Sequence, residues 1–348
     1  MTTQTDWRDL HANAVVADAH NDLLMCVQAR PVAEWGSYFR SQWLPQLVDG
    51  SVNLQVLPVF VDDGFRPEGA LRQTLKMIEC AHRVAAENED TVALCLNGDD
   101  IDAALASGRI ALVLALESAP GVGEDVELLE TLFRLGVRVA SLAHFGRTAL
   151  ADGSAEDATG SRLTRAGVDA VHLMEQLGMV YDVSHLGAVG VDHVLEIASR
   201  PVMATHSSSR ALREHHRNLS DEHVRGIAAL GGVVCVNFIG PFLHETDYSV
   251  SRLMDHLEHL VEVAGIAHVG LGPDFVKEIF DDLTPPCCEG LPNDAGVPLA
   301  YVPGLEGPRG LPSVTEAMVG RGWSEPDVRA VLGGNVHRLF RAELGRPR

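Results

Sequence analysis

Residues 110–118 read IALVLALES, an unbroken apolar run that ends in a glutamate and a serine. A strand with one wet face alternates apolar and polar residues; this one does not, so it is a strand covered on both faces, as in a parallel sheet flanked by helices. Seven further stretches share the pattern: VVADAHND at 15–22, VNLQVLPVF at 52–60, VRVASLAH at 137–144, GMVYDVSH at 178–185, PVMATHSS at 201–208, GVVCVNF at 232–238 and HVGLGPDF at 268–275. Helical periodicity separates most of them. Residues 251–264 put Leu253, Leu257, Leu260, Val261 and Ala264 on one stripe. Residues 124–136 and 165–177 behave alike, with Gly136 and Gly178 as helix ends. Strands alternating with helices in this number predict an α/β fold, a (β/α)8 TIM barrel. A doubly wound open sheet competes on count alone. The barrel is favoured because His20, Asp22, Glu117, His144, His185, His206 and Asp274 all fall at C-terminal strand ends, the face on which barrel enzymes carry their chemistry, whereas an open sheet brings fewer strand ends to one crevice.

The chain has 348 residues and a formal net charge of −21. At 46% hydrophobic and 22% charged residues its composition is that of a globular protein, and one barrel over 1–348 accounts for the length as a single domain. The acidic surplus works against nucleic acid, because counterion release needs basic side chains. Lys76 and Lys277 are its lysines, too few for a polybasic membrane patch, and no apolar run approaches a bilayer span. The first residues, MTTQTDWRDL, do not read as a secretory signal, nor the last, RAELGRPR, as an anchor. Cys26, Cys80, Cys95, Cys235, Cys287 and Cys288 form no CxxC pair, so reduced thiols and a cytoplasmic location are expected. Residues 276–312, rich in Pro and Gly, read as a long loop after the eighth strand, part of the pocket or of a subunit contact. Helices return near 313–320 and 325–343, the second capped by Ser324.

The chemistry begins at HND, residues 20–22. Residues two apart on a strand face one way, so His20 and Asp22 can grip one ion. Glu117, closing its apolar run, would be costly to bury without a cation. Either feature alone is as well read as a strand end emerging into solvent. His185 and His206 repeat the theme on consecutive strands. Three histidines and two carboxylates exceed what one tetrahedral catalytic zinc takes from a protein, and they suit two divalent ions sharing one carboxylate.

In these residues the chain resembles the membrane dipeptidase (renal dipeptidase) family of metallopeptidases in the amidohydrolase superfamily. The likeness runs through DAHNDLL at 18–24, GSVNLQV at 50–56, ALES at 115–118, LFRLGVRVASLAH at 132–144, YDVSHLG at 181–187, RPVMATHSSSRAL at 200–212, HRNLSDE at 216–222, GGVVCVNF at 231–238, VGLGPDF at 269–275 and GGNVHRLF at 333–340. The resemblance implies a barrel of the metal-dependent hydrolase type. It implies that His20 and Asp22 hold one metal, that Glu117 bridges, and that His185 and His206 hold the other, with Zn2+ as the expected ion. It also implies His144 for the oxyanion and the substrate, Asp274 for acid–base work, and Arg217, with Asn218 beside it, for the substrate's terminal carboxylate. The implied reaction is hydrolysis of a dipeptide with a free C-terminal carboxylate, L-Xaa-D-Xaa included, through a hydroxide bridging the two metals. The alternatives are a related amidohydrolase acting on N-acyl amino acids or another carboxylate-bearing amide or lactone, and a non-catalytic metal-binding barrel. The expected partner is a small dipeptide, with neither nucleic acid nor membrane; a homodimer is compatible.

The chain departs from the family pattern at Val276-Lys277 after Asp274-Phe275, at Arg147-Thr148 after the fourth strand, and at Ile239, where some relatives carry an aromatic. These positions border the substrate, so they bear on specificity and leave the ligand set whole. Arg147 reads as a solvated loop arginine, or else as a contact for an acidic substrate side chain. His256 and His259 are expected on the polar face of their helix with Asp255 and Glu258, and His215-His216 as neighbours of Arg217 or as exposed residues.

Overall fold

The computed structural model describes residues 6–282 and 300–346. Among the described residues nine strands run parallel: β1 (Ala17–Asp18), β2 (Leu54–Val59), β3 (Val92–Leu94), β4 (Ile110–Leu116), β5 (Val137–Ala140), β6 (Val180–Tyr181), β7 (Met203–Ala204), β8 (Val233–Val236) and β9 (Val269–Leu271). Eight lie within the expected stretches. Both faces of β4 are dry, as its lack of alternation predicts. Ala111, Val113 and Ala115 pack in one apolar cluster with Leu54, Val56 and Val139, while Leu112, Leu114 and Leu116 join the other.

The strands curl into two sheets, β1-β2-β4-β5-β6 and β7-β8-β9. The seams between them are short. At β6/β7 there is a parallel bridge, Asp182 to Met203, and the amide of Val183 donates to Met203 O at 2.8 Å. At β9/β1 the amide of Ala19 donates to Leu271 O at 3.1 Å, and a second bridge joins Asn21 to Phe275. Each seam therefore lies directly beneath a pair of candidate ligands. Closing the curl brings the C-terminal ends of all eight expected strands to one mouth.

Three features differ from expectation. β3 is an additional strand, paired with residues 110–112 of β4 below the point where β5 takes over the same edge. The stretch 325–343 is one helix only in outline: Glu325–Arg329 and Asn335–Glu343 flank a π turn at Ala330–Gly334. Gly333 explains the break, because a Cβ there would lie 2.5 Å from Val15 O and 2.7 Å from Ala17 N, so the turn presses bare backbone against β1. Lys277–Asp282, expected as loop, is a short helix directly after the β9 mouth. Much of the remainder of the expected loop, including Cys287 and Cys288, lies outside the described residues.

The helices otherwise follow their local signals. Arg165–Leu177 starts where Thr164 accepts the Gly167 amide at 3.0 Å and stops at Gly178, whose φ of +78° is left-handed. Ser324 caps its helix by accepting the Asp327 amide. Residues 124–136 form a turn and then the helix Leu128–Arg134. Cys80, Cys95 and Cys235 are buried free thiols, and Cys26 is buried as well. Among the described residues no helix is long and apolar enough to cross a membrane.

Candidate functional site

Every expected ligand reaches the barrel mouth. Glu117, on the end of β4, is the centre: its Oε2 lies 3.5 Å from His20 Nε2, and its Oε1 lies 3.0 Å from His185 Nε2, 3.6 Å from His144 Nε2 and 3.9 Å from His206 Nε2. Asp22 Oδ2 stands 3.5 Å from His20 Nε2, and Asp274 Oδ1 stands 4.0 Å from it. In three overlapping groups the ligand atoms all lie within 4.8 Å of one another: His20-Asp22-Glu117, His20-His206-Asp274 and Glu117-His144-His185. His20, Asp22, Glu117, His185 and His206 are each no more than 5% exposed.

The backbone is strained where the ligands sit. His185 at φ +67° and Asp274 at φ +62° hold left-handed conformations, and Ser118 at φ +65° follows Glu117 directly. Non-glycine residues held this way cost free energy that the surrounding fold must supply, a pattern concentrated at functional sites.

The electrostatics point the same way. Burial pushes the Glu117 carboxyl up to about 7, with Asp22 and Asp274 adding to the rise and His20 opposing it. Burial opposes charge on His20, yet Glu117 and Asp22 hold its imidazole well above the ordinary value. Burial, with Arg217 nearby, drives His185 and His206 well below theirs. Burial also raises Asp274. Packing carboxylates and imidazoles this tightly is unfavourable without a counter-charge, and a divalent cation would supply one and displace the protons. Two details fit that requirement. His185 Nε2 and His206 Nε2 face each other at 2.8 Å, two ring nitrogens aimed at one point. His20 Nε2 and Asp22 Oδ1 are buried atoms without a hydrogen-bond partner.

Around the ligands lie residues that the sequence reading passed over. Asn237, in the VNF stretch, donates from Nδ2 to Asp274 Oδ2 at 2.8 Å and accepts the Ile239 amide at 2.6 Å, which fixes the orientation of the Asp274 carboxyl. Asp18 accepts the amide of His20 at 3.1 Å and the Nδ2 of Asn21 at 3.1 Å; burial pushes its own carboxyl up to about 7. A polar residue set in an apolar strand was the available signal for both. Ile239, at a departure from the family pattern, is bridged in antiparallel fashion by Tyr301.

Arg217 is buried, donating from Nη2 to His206 O at 3.0 Å with its guanidinium 5.6 Å from the Phe242 ring centre. His215 Nδ1 accepts the Arg217 amide at 3.1 Å. Asn218 departs from expectation: its Nδ2 lies 2.9 Å from Arg213 O, 2.8 Å from Phe242 O and 3.4 Å from Ser209 O. With both amide protons spent on main chain, it braces the loop that carries Arg217 and has no donor left for a substrate carboxylate. Arg147 grips Asp152 through two bonds, of 2.5 and 2.8 Å, and so closes its own loop.

His256 overturns its expected position on a polar face. It is 1% exposed, with Nδ1 accepting the Ser209 amide at 3.1 Å and Nε2 donating to Leu243 O at 2.9 Å. Burial drops its imidazole to about 4, which keeps it neutral, as this pairing requires. His259 pairs with Asp221 at 2.8 Å, clear of the site.

Comparison with known proteins adds an independent line. The model of the membrane dipeptidase family, peptidase family M19, matches residues 4–285. The chain is similar to dipeptidase tcpJ of Claviceps purpurea, 29% identical over 276 residues that cover 78% of this chain and 60% of the relative. It thus spans somewhat less than two thirds of that relative's length. A crystal structure described as the dipeptidase AC, a metallopeptidase of family M19, superposes with a TM-score of 0.83 at 25% identity, covering 96% of this chain and 99% of the other. A metallopeptidase from Rhodobacter sphaeroides, solved with a phosphinate mimic of L-Ala-D-Ala, gives a TM-score of 0.82 at 24% identity over 94% and 99% of the two chains. At that identity it speaks for the fold alone.

Proposed function

The chain belongs to the membrane dipeptidase family of peptidases, and on that premise we propose that it is a metal-dependent dipeptidase hydrolysing dipeptides that carry a free C-terminal carboxylate, L-Xaa-D-Xaa pairs among them. The observation that carries this reading is Glu117, with one carboxylate oxygen beside His20 and the other beside His185. That arrangement suits a bridge between two divalent cations, Zn2+ by the borderline-soft mix of imidazole and carboxylate donors. His20 and Asp22 would hold one ion and His185 and His206 the other. When bound, two such ions supply Lewis acidity, which acidifies a water and polarises the scissile carbonyl.

The chain's own residues do the rest. Arg217, rigid behind His206, offers a planar fork to the substrate carboxylate and so sets which amide lies over the ligands. His144, at the rim 3.6 Å from Glu117, would donate to the oxygen of the carbonyl under attack as it gains charge. Asp274 accepts the proton of the attacking water and returns it to the departing amine. Asn237 pins Asp274 Oδ2, so the other oxygen, Oδ1, faces the ligands and does the transfer. We place the protein in a reducing compartment, the cytoplasm, on the support of its buried free thiols.

The test is a dipeptide library with L,L and L,D pairs, run beside N-acyl amino acids, lactones and C-terminally amidated dipeptides. Turnover of free dipeptides with their amides inert is the expected result. Faster turnover of an N-acyl amino acid or a lactone would overturn the dipeptidase reading.

A further inference from the structure

Behind one of the candidate ligands lies a chain of hydrogen bonds that the reaction does not use. Thr205 Oγ1 lies 2.6 Å from Asp182 Oδ2 and 2.8 Å from His206 Nδ1. The Asp182 carboxylate is fully engaged: Oδ1 accepts the amides of Ser184 and Thr205, both at 2.9 Å. Ser184 Oγ accepts the His206 amide at 3.1 Å and lies 3.3 Å from Thr205 Oγ1. All four residues are at most 5% exposed, so water does not compete for these bonds.

A threonine hydroxyl has a single proton. The carboxylate oxygen at 2.6 Å takes it, leaving only lone pairs on Thr205 Oγ1 to offer His206. The proton of the His206 ring must therefore sit on Nδ1, and the lone pair on Nε2. Nε2 is the nitrogen that faces His185 at 2.8 Å and Glu117 at 3.9 Å. His185 contrasts with it, since its Nδ1 is buried without a hydrogen-bond partner.

We infer that Thr205 and Asp182 are positioning residues that fix His206 as the Nδ1–H tautomer, with its Nε2 lone pair aimed at the metal. The same carboxylate ties Thr205 to Asp182 across the β6/β7 seam, so closing the barrel and preparing the ligand are one set of bonds. Outer partners of this kind orient metal-bound imidazoles and raise their basicity. The inference rests on the two-ion reading above, and the experiment separates the failure of one from the failure of the other.

The measurement is Zn2+ affinity by chelator competition on wild type, Thr205→Val and Thr205→Ser, with the ring tautomer of His206 read by long-range 1H–15N correlation in the metal-free wild type. Thr205→Val keeps the shape and deletes the hydroxyl. It is expected to weaken one of two ions by about 10–100-fold and leave the other unchanged, and the serine variant should restore most of the loss. A wild type that binds no divalent ion would sink the two-ion reading itself. A wild type that binds two ions, with Thr205→Val binding both as tightly, would overturn only the positioning role. A His206 ring protonated on Nε2 would overturn it too, whether or not the valine variant folds.

Discussion

The two halves of the barrel mouth hold their ligands by different means. At the C-terminal ends of β1 and β4, His20, Asp22 and Glu117 form a carboxylate-rich group, and charge dominates it: the acids raise the His20 imidazole and burial raises Glu117. Over β5 to β7, His144, His185 and His206 form an imidazole-rich group whose carboxylate is the shared Glu117. Burial keeps His185 and His206 neutral there, so the direction of each lone pair decides what can bind. A buried aspartate backs each half at its seam. Asp18 holds the main chain of the His20 turn, whereas Asp182 reaches a ligand's ring through Thr205. One half is thus specified by charge and the other by geometry, with Glu117 as the link.

Breaking the link should have the largest effect. Glu117→Gln is expected to release ions from both halves, by metal analysis, and to cost on the order of 10³-fold or more in kcat. Loss from one half only would show the halves to be independent. Asp274→Asn comes next: a kcat lower by about 10²–10⁴-fold with metal content unchanged, because the proposed proton carrier belongs to neither half. Unchanged turnover would remove Asp274 from the chemistry.

His256→Leu probes the imidazole half alone. It orphans the Ser209 amide and the Leu243 carbonyl, at about 1–3 kcal/mol of stability for each group. Urea unfolding should register that cost, and KM should rise as the loop bearing Arg217 loosens, while the affinity of the carboxylate half stays as it was. The smallest effect belongs to Arg147→Ala, beside His144. The bond from Arg147 holds the Asp152 carboxyl down at about 2. A lowered carboxyl stabilises above its unfolded value and loses that contribution as pH falls through the folded one. Because Arg147 is 59% exposed, solvent screens most of it. The variant's melting temperature should lie marginally below wild type at pH 7, with the gap closing towards pH 2; a gap that widens in acid would contradict the assignment.

What sequence made legible follows the same division. Ligands at strand mouths showed themselves because a charge closing an apolar run has few bland explanations, as at Glu117. β3 did not show, since three residues carry too little pattern to stand apart from the helix that follows them. His256 lies three residues after Leu253 and four before Leu260, on the apolar stripe; counting histidine as polar hid a neutral buried ring. Asn237, Asp182 and Thr205 stood inside recognised stretches, but their roles depend on partners across a seam or on a neighbouring strand, which no spacing along one strand reveals. Asn218 was misread for the converse reason, because its donors are taken by carbonyls of its own loop and of Phe242.

On the proposed function, two ions joined by Glu117 drive hydrolysis of a dipeptide. Titrating metal-stripped protein with Zn2+, following occupancy and cleavage of an alanyl dipeptide together, tests it most directly. Cleavage is expected to stay near background while the first site fills and to rise only as the second does. Full cleavage by the metal-stripped protein, or a rate already complete when one site is filled, would contradict it.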